Sequence, residues 1–272
     1  MNSHRRTSLA LIGAVLLTAC TTAPIPAPTP QRLPVVLVHG AWSEAGAWDR
    51  VAAELRARGH AVTAVNLPGH GRDETPLKGL SLAAYTARVL EALPAGGRAL
   101  LVGHSMAGMV ISQVAEQAPE RVAKLVYVAA YLPRDGESLY QLSMQDSGSK
   151  VGRWWRQDDP KAYSPATIAR EGLIEVFCAD CSPADQRYLL ESHRPEAVPP
   201  LATPVKLSAE RFGRVPRAYV HTRDDAAVTL TLQQRMLAAA GGASPVVTLA
   251  TSHMPMLTQP KALADAIAAA AP

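Results

Sequence analysis

The sequence has few aromatic side chains, and its charges nearly balance. Aromatic residues make up 5% of 272 positions, and 27 lysines and arginines oppose 23 aspartates and glutamates, a formal net charge of +4. The basic residues are scattered, apart from Arg153 and Arg156 on either side of two tryptophans. Proteins that bind nucleic acids carry clustered positive charge and often aromatic stacking surfaces. We therefore expect no nucleic-acid partner.

Cysteine is also scarce, with three residues in the chain: Cys20, Cys178 and Cys181. No second Cys/His pair follows Cys178 and Cys181, as a zinc site would require, and the pair does not lie where a thioredoxin-like redox motif belongs. In an exported protein such a pair can close as a disulfide, with modest stabilisation because the loop is small. The sequence predicts a disulfide or two free thiols at Cys178 and Cys181, and no metal site.

The chain begins with an apolar run that is too short to span a bilayer. Leu9 to Leu17 falls below the roughly 20 apolar residues that a transmembrane helix needs. It follows the basic residues His4-Arg5-Arg6, an order typical of a signal peptide. We predict a signal peptide over residues 1–19, and a stretch rich in proline over residues 20–33 that acts as a semi-rigid tether.

The end of this leader, Leu17-Thr18-Ala19-Cys20, resembles the lipobox of bacterial lipoproteins. That resemblance implies lipidation of Cys20 and a lipid-anchored protein of the bacterial cell envelope. Thr21 is not the aspartate that favours the inner membrane in enterobacterial lipoproteins, which implies the periplasmic face of the outer membrane. An ordinary signal peptide or a start-anchor with a stray cysteine is the alternative.

The remaining sequence predicts an α/β fold. Short apolar strands alternate with amphipathic helical segments over residues 34–130 and again over 217–272, which favours a mostly parallel sheet with helices on both faces. Between them, residues 131–216 contain many prolines, short amphipathic pieces and no strong strand. We predict a core of 34–130 and 217–272, interrupted by a helical cap insertion.

A nucleophilic serine is indicated at the end of one predicted strand. In Leu101-Val102-Gly103-His104-Ser105-Met106-Ala107-Gly108, an apolar strand leads through Ser105 into a helical pattern. A nucleophile elbow, G-x-S-x-G, has this form, because small residues let strand and helix approach while the serine stays exposed. Here Ala107 replaces the second glycine, a difference of one methyl group. Alternatively, Ser105 only caps the helix.

A base and an acid follow in the order expected for a serine hydrolase. His253 comes directly after the last predicted strand, and Asp224 and Asp225 follow the strand before it. The residues themselves leave open which of the two aspartates orients the base. The backbone N–H groups of Ala41 and Met106 occupy the positions of an oxyanion hole.

Four motifs together resemble the α/β-hydrolase superfamily. They are Val35 to Ala41 (VVLVHGA), Asn66 to Arg72 (NLPGHGR), the serine motif, and Ser252 to Leu257 (SHMPML). More narrowly, they are similar to the branch of plant methyl-salicylate-type esterases, hydroxynitrile lyases and bacterial EstC-like esterases. This resemblance implies an α/β-hydrolase fold with a small helical cap and no metal or cofactor. In the bacterial relatives the acid segment reads T-x-x-D-x-A-V, which implies that Asp225 is the acid.

Two positions favour an esterase over a lyase within this branch. The lyases carry a threonine and a lysine where this chain has Gly40 and Met254, and a thioether cannot stabilise an anion as an ammonium can. We predict a serine hydrolase that cleaves small-molecule carboxylic esters through Ser105, His253, Asp225 and an acyl-enzyme. A hydroxynitrile-lyase-like enzyme, an acyltransferase and a non-catalytic ligand-binding protein are the alternatives.

Further expectations concern the pocket and the assembly. The pocket should lie between the sheet and the cap, and Trp154, Trp155 and Phe177 are candidates to line it, although each could equally pack within the cap. The sequence is compatible with a homodimer.

Overall fold

The computed structural model describes residues 32–161 and 164–272. The predicted signal peptide, the predicted lipidation site Cys20 and residues 20–31 of the predicted tether lie outside these residues. Within the described ranges, no helix is long and apolar enough to cross a membrane.

In the part of the chain that the structure describes, eight strands form two sheets. Their bounds are β1 Val35–Val38, β2 Val62–Val65, β3 Ala99–His104, β4 Val122–Val128, β5 Trp155–Gln157, β6 Ala166–Ile168, β7 Arg217–Thr222 and β8 Val246–Leu249. Six of them build the central sheet in the order β2-β1-β3-β4-β7-β8, and every neighbouring pair is parallel. The predicted parallel sheet is confirmed.

Helices cover both faces of this sheet. Their bounds are α1 Asp49–Ala57, α2 Leu82–Ala92, α3 Ala107–Gln117, α4 Leu139–Ser143, α5 Val151–Trp154, α6 Leu173–Phe177, α7 Pro183–Ser192, α8 Val198–Ala202, α9 Leu230–Ala239, α10 Pro255–Thr258 and α11 Pro260–Ala269. A 3-10 turn, Ala45–Trp48, directly precedes α1. Ser81 caps α2, because its hydroxyl accepts a hydrogen bond from Ala84 N–H.

Two apolar layers lie on opposite faces of the central sheet, as the alternation of side chains along β1 shows. Val36 and Val38 pack in the layer that contains the buried residues of α2, α3 and α9. Val35 and Leu37 pack in the other layer, with α1 and α11. Because a strand buried on both faces must be apolar at every position, β1 reads as an uninterrupted VVLV.

The segment between β4 and β7 departs in part from its prediction. It contains the predicted short helices, α4 to α8, but also the antiparallel pair β5 and β6, which the sequence did not reveal. Each of these strands has three residues, too few for a period of two to stand out from chance. We call residues 131–216 the cap segment.

The cap segment lies over the loops that follow the core strands. Trp42, after β1, donates from Nε1 to Ala166 O in β6 at 3.0 Å. Thr229, after β7, donates its N–H to the carboxylate of Asp146 at 2.8 Å. The carboxyl edge of the sheet is therefore covered.

Candidate active site

Ser105 lies in the sharp turn between β3 and α3. Its φ of 55° falls in the left-handed region, which residues other than glycine rarely adopt. Two backbone hydrogen bonds hold the turn: Ser105 N–H donates to Val128 O at 3.2 Å, and Tyr131 N–H donates to Ser105 O at 3.1 Å. A strained backbone conformation thus presents the Ser105 side chain at the end of the sheet.

The small residues around Ser105 have a steric reason. A Cβ at Gly103 would lie 2.9 Å from Ala107 O, and a Cβ at Gly108 would lie 1.9 Å from Tyr131 O. Glycine is therefore needed at both positions, because α3 passes close to β3 and to the chain after β4. Ala107, the departure from the usual motif, is fully buried without disturbing the turn.

The loops after β7 and β8 bring Asp225 and His253 together. His253 Nδ1 lies 2.7 Å from Asp225 Oδ2, and both side chains are almost completely buried. The other carboxylate oxygen accepts from Ala227 N–H at 2.8 Å and Val228 N–H at 2.9 Å. These bonds fix the carboxylate towards His253 and satisfy the charge that burial would otherwise penalise.

Asp224, the neighbouring aspartate, points into solvent. Its carboxylate pairs with Arg223 at 3.0 Å, and about half of the side chain is exposed, 53%. The hydrogen bond from Arg223 lowers the pKa of Asp224. Of the two aspartates, the structure brings only Asp225 to His253.

His253 is held by aromatic neighbours as well. His104 donates from Nε2 to His253 O at 2.8 Å, and their rings lie 4.6 Å apart. The centre of the Phe177 ring, from the cap segment, lies 5.6 Å from the centre of the His253 ring. Burial, together with the charge that His253 would carry when protonated, keeps the pKa of His104 well below its ordinary value. His104 is therefore neutral.

Ser105 and His253 face adjoining spaces. Ser105 lines a large cavity and His253 a small recess, and the two spaces share Ala41, Trp42 and Phe177. Among the hydrogen bonds of the described residues, none joins Ser105 to His253. Such bonds are often long or misaligned in an enzyme without substrate and tighten when the substrate binds.

The loop after β1 lies directly against the serine turn. A Cβ at Gly40 would lie 2.7 Å from Ser105 Cβ. The next residue, Ala41, lines the cavity together with Ser105 and Met106. Within residues 32–161 and 164–272, the N–H groups of Ala41 and Met106 donate to no protein acceptor. Two free donors thus border the same space as the Ser105 side chain.

The cavity has a volume of about 550 Å³ and lies between the sheet edge and the cap segment. Its lining is mainly apolar and includes Trp42, Tyr131, Trp155 and Phe177, and no lysine or arginine of the described chain takes part. Trp154, in contrast, points elsewhere, and its indole N–H donates to Glu175 at 2.9 Å. Of the three aromatic candidates, two therefore line the cavity.

A profile of the alpha/beta hydrolase family matches residues 35–266. The chain belongs to the alpha/beta hydrolase family. The described part of this hydrolase contains no group of three or more His, Cys, Asp or Glu side chains arranged to hold a metal ion.

Several proteins similar to this alpha/beta hydrolase are named as esterases or hydrolases. A pyrethroid hydrolase of Sphingobium wenxiniae is 31% identical over 246 residues, 86% of each chain. Methylesterase 7 of Arabidopsis thaliana is 31% identical over 241 residues, 84% of this chain and 92% of the relative. The crystal structure of the pyrethroid hydrolase PytH superposes with a TM-score of 0.77 at 29% identity, covering 88% of this chain and 97% of the other. The chain is thus a hydrolase of the carboxylesterase type.

Two contacts of this hydrolase could not be predicted from the sequence, whereas the Cys178–Cys181 disulfide was one of the two states expected. Buried Glu196 in the cap segment accepts from the Tyr85 hydroxyl at 2.6 Å and lies 3.0 Å from His70 Nε2. Asp180 contacts the loop that carries His253. Cys178 and Cys181, for which the sequence predicts a disulfide or two free thiols, are joined as a disulfide. No local pattern marks Glu196 or Asp180, because their partners lie more than 70 positions away.

His39 of this hydrolase is held as a neutral imidazole. Its Nε2 accepts from Leu67 N–H at 3.1 Å, and its Nδ1 lies 2.8 Å from Gly40 O, to which it donates. Burial and the neighbouring His70 lower the pKa of His39 from 6.5 to about 3. An unfolded chain takes up a proton here below pH 6.5, whereas the folded chain does not, so acid favours unfolding.

Replacing His39 with glutamine should therefore reduce the acid sensitivity of the fold. Because of His39 alone, the free energy of unfolding of the wild type should fall by about 1.4 kcal/mol per pH unit below pH 6.5. Glutamine cannot titrate, so this contribution of His39 to the pH dependence should be absent from the variant. Glutamine can still accept from Leu67 N–H and donate to Gly40 O. Urea denaturation between pH 4.5 and 7 measures the slope.

His70→Gln is the control. Burial disfavours the charged form of His70, but the Glu196 carboxylate outweighs it and raises the pKa of His70. Its contribution to stability is therefore complete below pH 6.5 and lost as the pH rises through the raised value. His70→Gln should keep the acid-side slope of the wild type, and equal acid-side slopes for His39→Gln and wild type would contradict the prediction.

Proposed function

We propose that this hydrolase cleaves neutral, apolar carboxylic esters by a serine mechanism. Ser105 is the nucleophile, His253 the general base, and Asp225 the acid that orients His253. The observation that carries the proposal is the buried 2.7 Å contact between His253 and Asp225, beside an elbow serine that opens into an apolar cavity.

The contact to Asp225 sets the tautomer of His253. Because the carboxylate accepts from Nδ1–H, the lone pair lies on Nε2, the nitrogen that can take a proton from Ser105. Ser105 Oγ attacks the ester carbonyl as its proton passes to Nε2, which gives a tetrahedral oxyanion. The proton then goes to the leaving alcohol, the C–O bond breaks, and an acyl-enzyme forms. Water, deprotonated by His253, attacks the acyl carbon; the bond to Ser105 Oγ breaks, His253 returns the proton to Ser105 Oγ, and the acid is released.

Ala41 and Met106 supply the oxyanion hole in this proposal. Their N–H groups border the cavity beside Ser105 and have no acceptor within the described chain. Preorganised donors of this kind stabilise the developing charge without reorganisation, and each contributes about 3–4 kcal/mol to lowering the barrier in comparable enzymes. The N-terminal end of α3 adds a favourable dipole at the same place.

The cavity indicates the class of ester. A mainly apolar lining with five aromatic side chains and no basic one favours a bulky, uncharged substrate over a carboxylate-bearing one. The relatives include a pyrethroid hydrolase and a methylesterase. We favour the larger apolar esters on the strength of the volume.

Two contacts disfavour the lyase alternative. A side chain at position 40 would collide with Ser105, so no hydroxyl can be presented there without a shift of the serine turn. Met254, which lines the recess beside His253, is buried and cannot carry charge.

The proposal is tested by treating the protein with a fluorophosphonate and assaying p-nitrophenyl esters of increasing acyl size. We expect a single adduct on Ser105, a matching loss of turnover, and kcat/KM that rises with apolar acyl size. An adduct elsewhere, or no adduct and no turnover, would exclude the serine mechanism and favour a ligand-binding role.

A further inference from the structure

The turn between α6 and α7 makes contacts with the proposed site that the mechanism above does not use. Cys178 and Cys181 close this turn as a disulfide with their Cα atoms 5.0 Å apart, and Cys181 N–H donates to Cys178 O at 3.1 Å. Asp180 lies inside the closed turn. The turn therefore holds Asp180 on a short, cross-linked stretch of chain.

The Asp180 carboxylate binds the two residues that directly precede His253. Its Oδ2 accepts from the Thr251 hydroxyl at 2.7 Å and from Ser252 N–H at 3.1 Å, and its Oδ1 accepts from the Ser252 hydroxyl. Thr251 and Ser252 are buried, whereas Asp180 itself is exposed. Hydrogen bonds to an ionised carboxylate are about twice as strong as neutral ones. Three such bonds from one carboxylate therefore hold Thr251 and Ser252 firmly.

The same loop is anchored on its other sides by the core. Asp224 N–H donates to Thr251 O at 3.0 Å, and His104 donates to His253 O at 2.8 Å. The Ser252 hydroxyl also lies 3.1 Å from Phe177 O, and the Thr251 hydroxyl lies 2.6 Å from the Thr258 hydroxyl. Among the hydrogen bonds of the described residues, that of the Ser252 N–H goes to Asp180 alone. Loss of the carboxylate would leave this N–H without an acceptor and loosen the chain immediately before His253, and a catalytic group displaced by about 1 Å can lose two orders of magnitude in rate.

We propose that Asp180 is a positioning residue that sets the orientation of His253 by binding Thr251 and Ser252 from the disulfide-closed turn. The inference rests on the proposed function, since it assigns His253 as the base. Asp180 lies in the cap segment, so it also links formation of the base to docking of that segment on the core.

The test compares Asp180→Ala and Asp180→Asn with Asp185→Ala. Asp185 is a matched control, because it is a carboxylate of the same segment that ties α7 to Arg50 of α1 and, within the described residues, forms no hydrogen bond or ion pair with residues 250–254. We expect Asp180→Ala to lower kcat for a p-nitrophenyl ester and the rate of fluorophosphonate labelling by about tenfold, with KM within about twofold. Asp185→Ala should lower the Tm but change neither rate by more than about twofold.

A second readout does not depend on turnover. The proton between His253 Nδ1 and Asp225 should give a strongly downfield NMR resonance, which we expect to broaden or shift in Asp180→Ala and to stay in place in Asp185→Ala. Asp180→Asn keeps the shape and one acceptor oxygen, so it should fall between wild type and Asp180→Ala. The double variant Cys178→Ser/Cys181→Ser should move the rates in the same direction by a smaller factor, about threefold.

Each outcome either supports or overturns the positioning role of Asp180. A folded Asp180→Ala with wild-type kcat, labelling rate and NMR resonance overturns the proposal and leaves Asp180 a structural residue. If Asp180→Ala does not fold, the same three readouts on Asp180→Asn decide. If the wild type is neither labelled nor active, the proposed function fails, and the NMR resonance alone shows whether Asp180 orients His253.

Discussion

Ser105→Ala is expected to lower kcat for p-nitrophenyl esters by about five orders of magnitude, because removal of the nucleophile abolishes the acyl-enzyme route. KM should change little, since the side chain contributes little to the cavity surface. Alanine tolerates the left-handed φ of 55° about as well as serine, so the fold should survive. Steady-state kinetics on the purified variant, with circular dichroism to check folding, measures the effect.

Ser112→Ala is the control for this variant. Ser112 lies on the same helix, α3, and its hydroxyl contacts Tyr127 OH at 2.8 Å and Gly108 O at 2.6 Å, away from the cavity. Its loss should cost about 1 kcal/mol of stability and leave kcat per folded molecule unchanged. More than about 1% residual kcat in Ser105→Ala would exclude Ser105 as the nucleophile.

Asp225→Asn is expected to lower kcat by about four orders of magnitude while the fold is retained. The asparagine oxygen can still accept from Ala227 and Val228 N–H, which now bind Oδ1. The amide NH₂ would then face His253 Nδ1 and favour the tautomer that carries its hydrogen on Nε2, which cannot take the proton from Ser105. The pH-independent kcat and the fluorophosphonate labelling rate should fall together.

Asp224→Asn provides a control of the same chemistry one residue away. Asp224 is half exposed, and among the described residues its side chain pairs with Arg223 alone; exposed pairs of this kind contribute about 0–1 kcal/mol. We expect kcat within about twofold of wild type. The reverse pattern, with Asp224→Asn inactive and Asp225→Asn active, would overturn the assignment of the acid.

Much of the fold follows from local patterns. Strands such as VVLV in β1 and ALLVGH in β3 are apolar at nearly every position because both faces of the sheet are covered. Ser81 caps its helix from a position visible in the sequence. The very short strands β5 and β6 were missed, because three residues pair only where the surrounding chain brings them together.

The candidate site was predictable to the extent that it depends on strand ends. In a parallel sheet all strands end at one edge, so Ser105 after β3 and His253 after β8 could be placed near each other from their order alone. The same logic placed Ala41 after β1. The choice of Asp225 over Asp224 came from resemblance, and the 2.7 Å contact to His253 is its geometric counterpart.

The layers of this protein, the turn that presents Ser105 and the edge at which the polar residues gather can be read from the amino-acid order, because they depend on periodicity and on neighbours along the chain. What lies against that edge depends on tertiary packing. The contacts of Asp180 with Ser252 and of Glu196 with His70 join positions 72 and 126 residues apart. No periodic pattern records such pairings, since they arise from how the cap segment packs on the core.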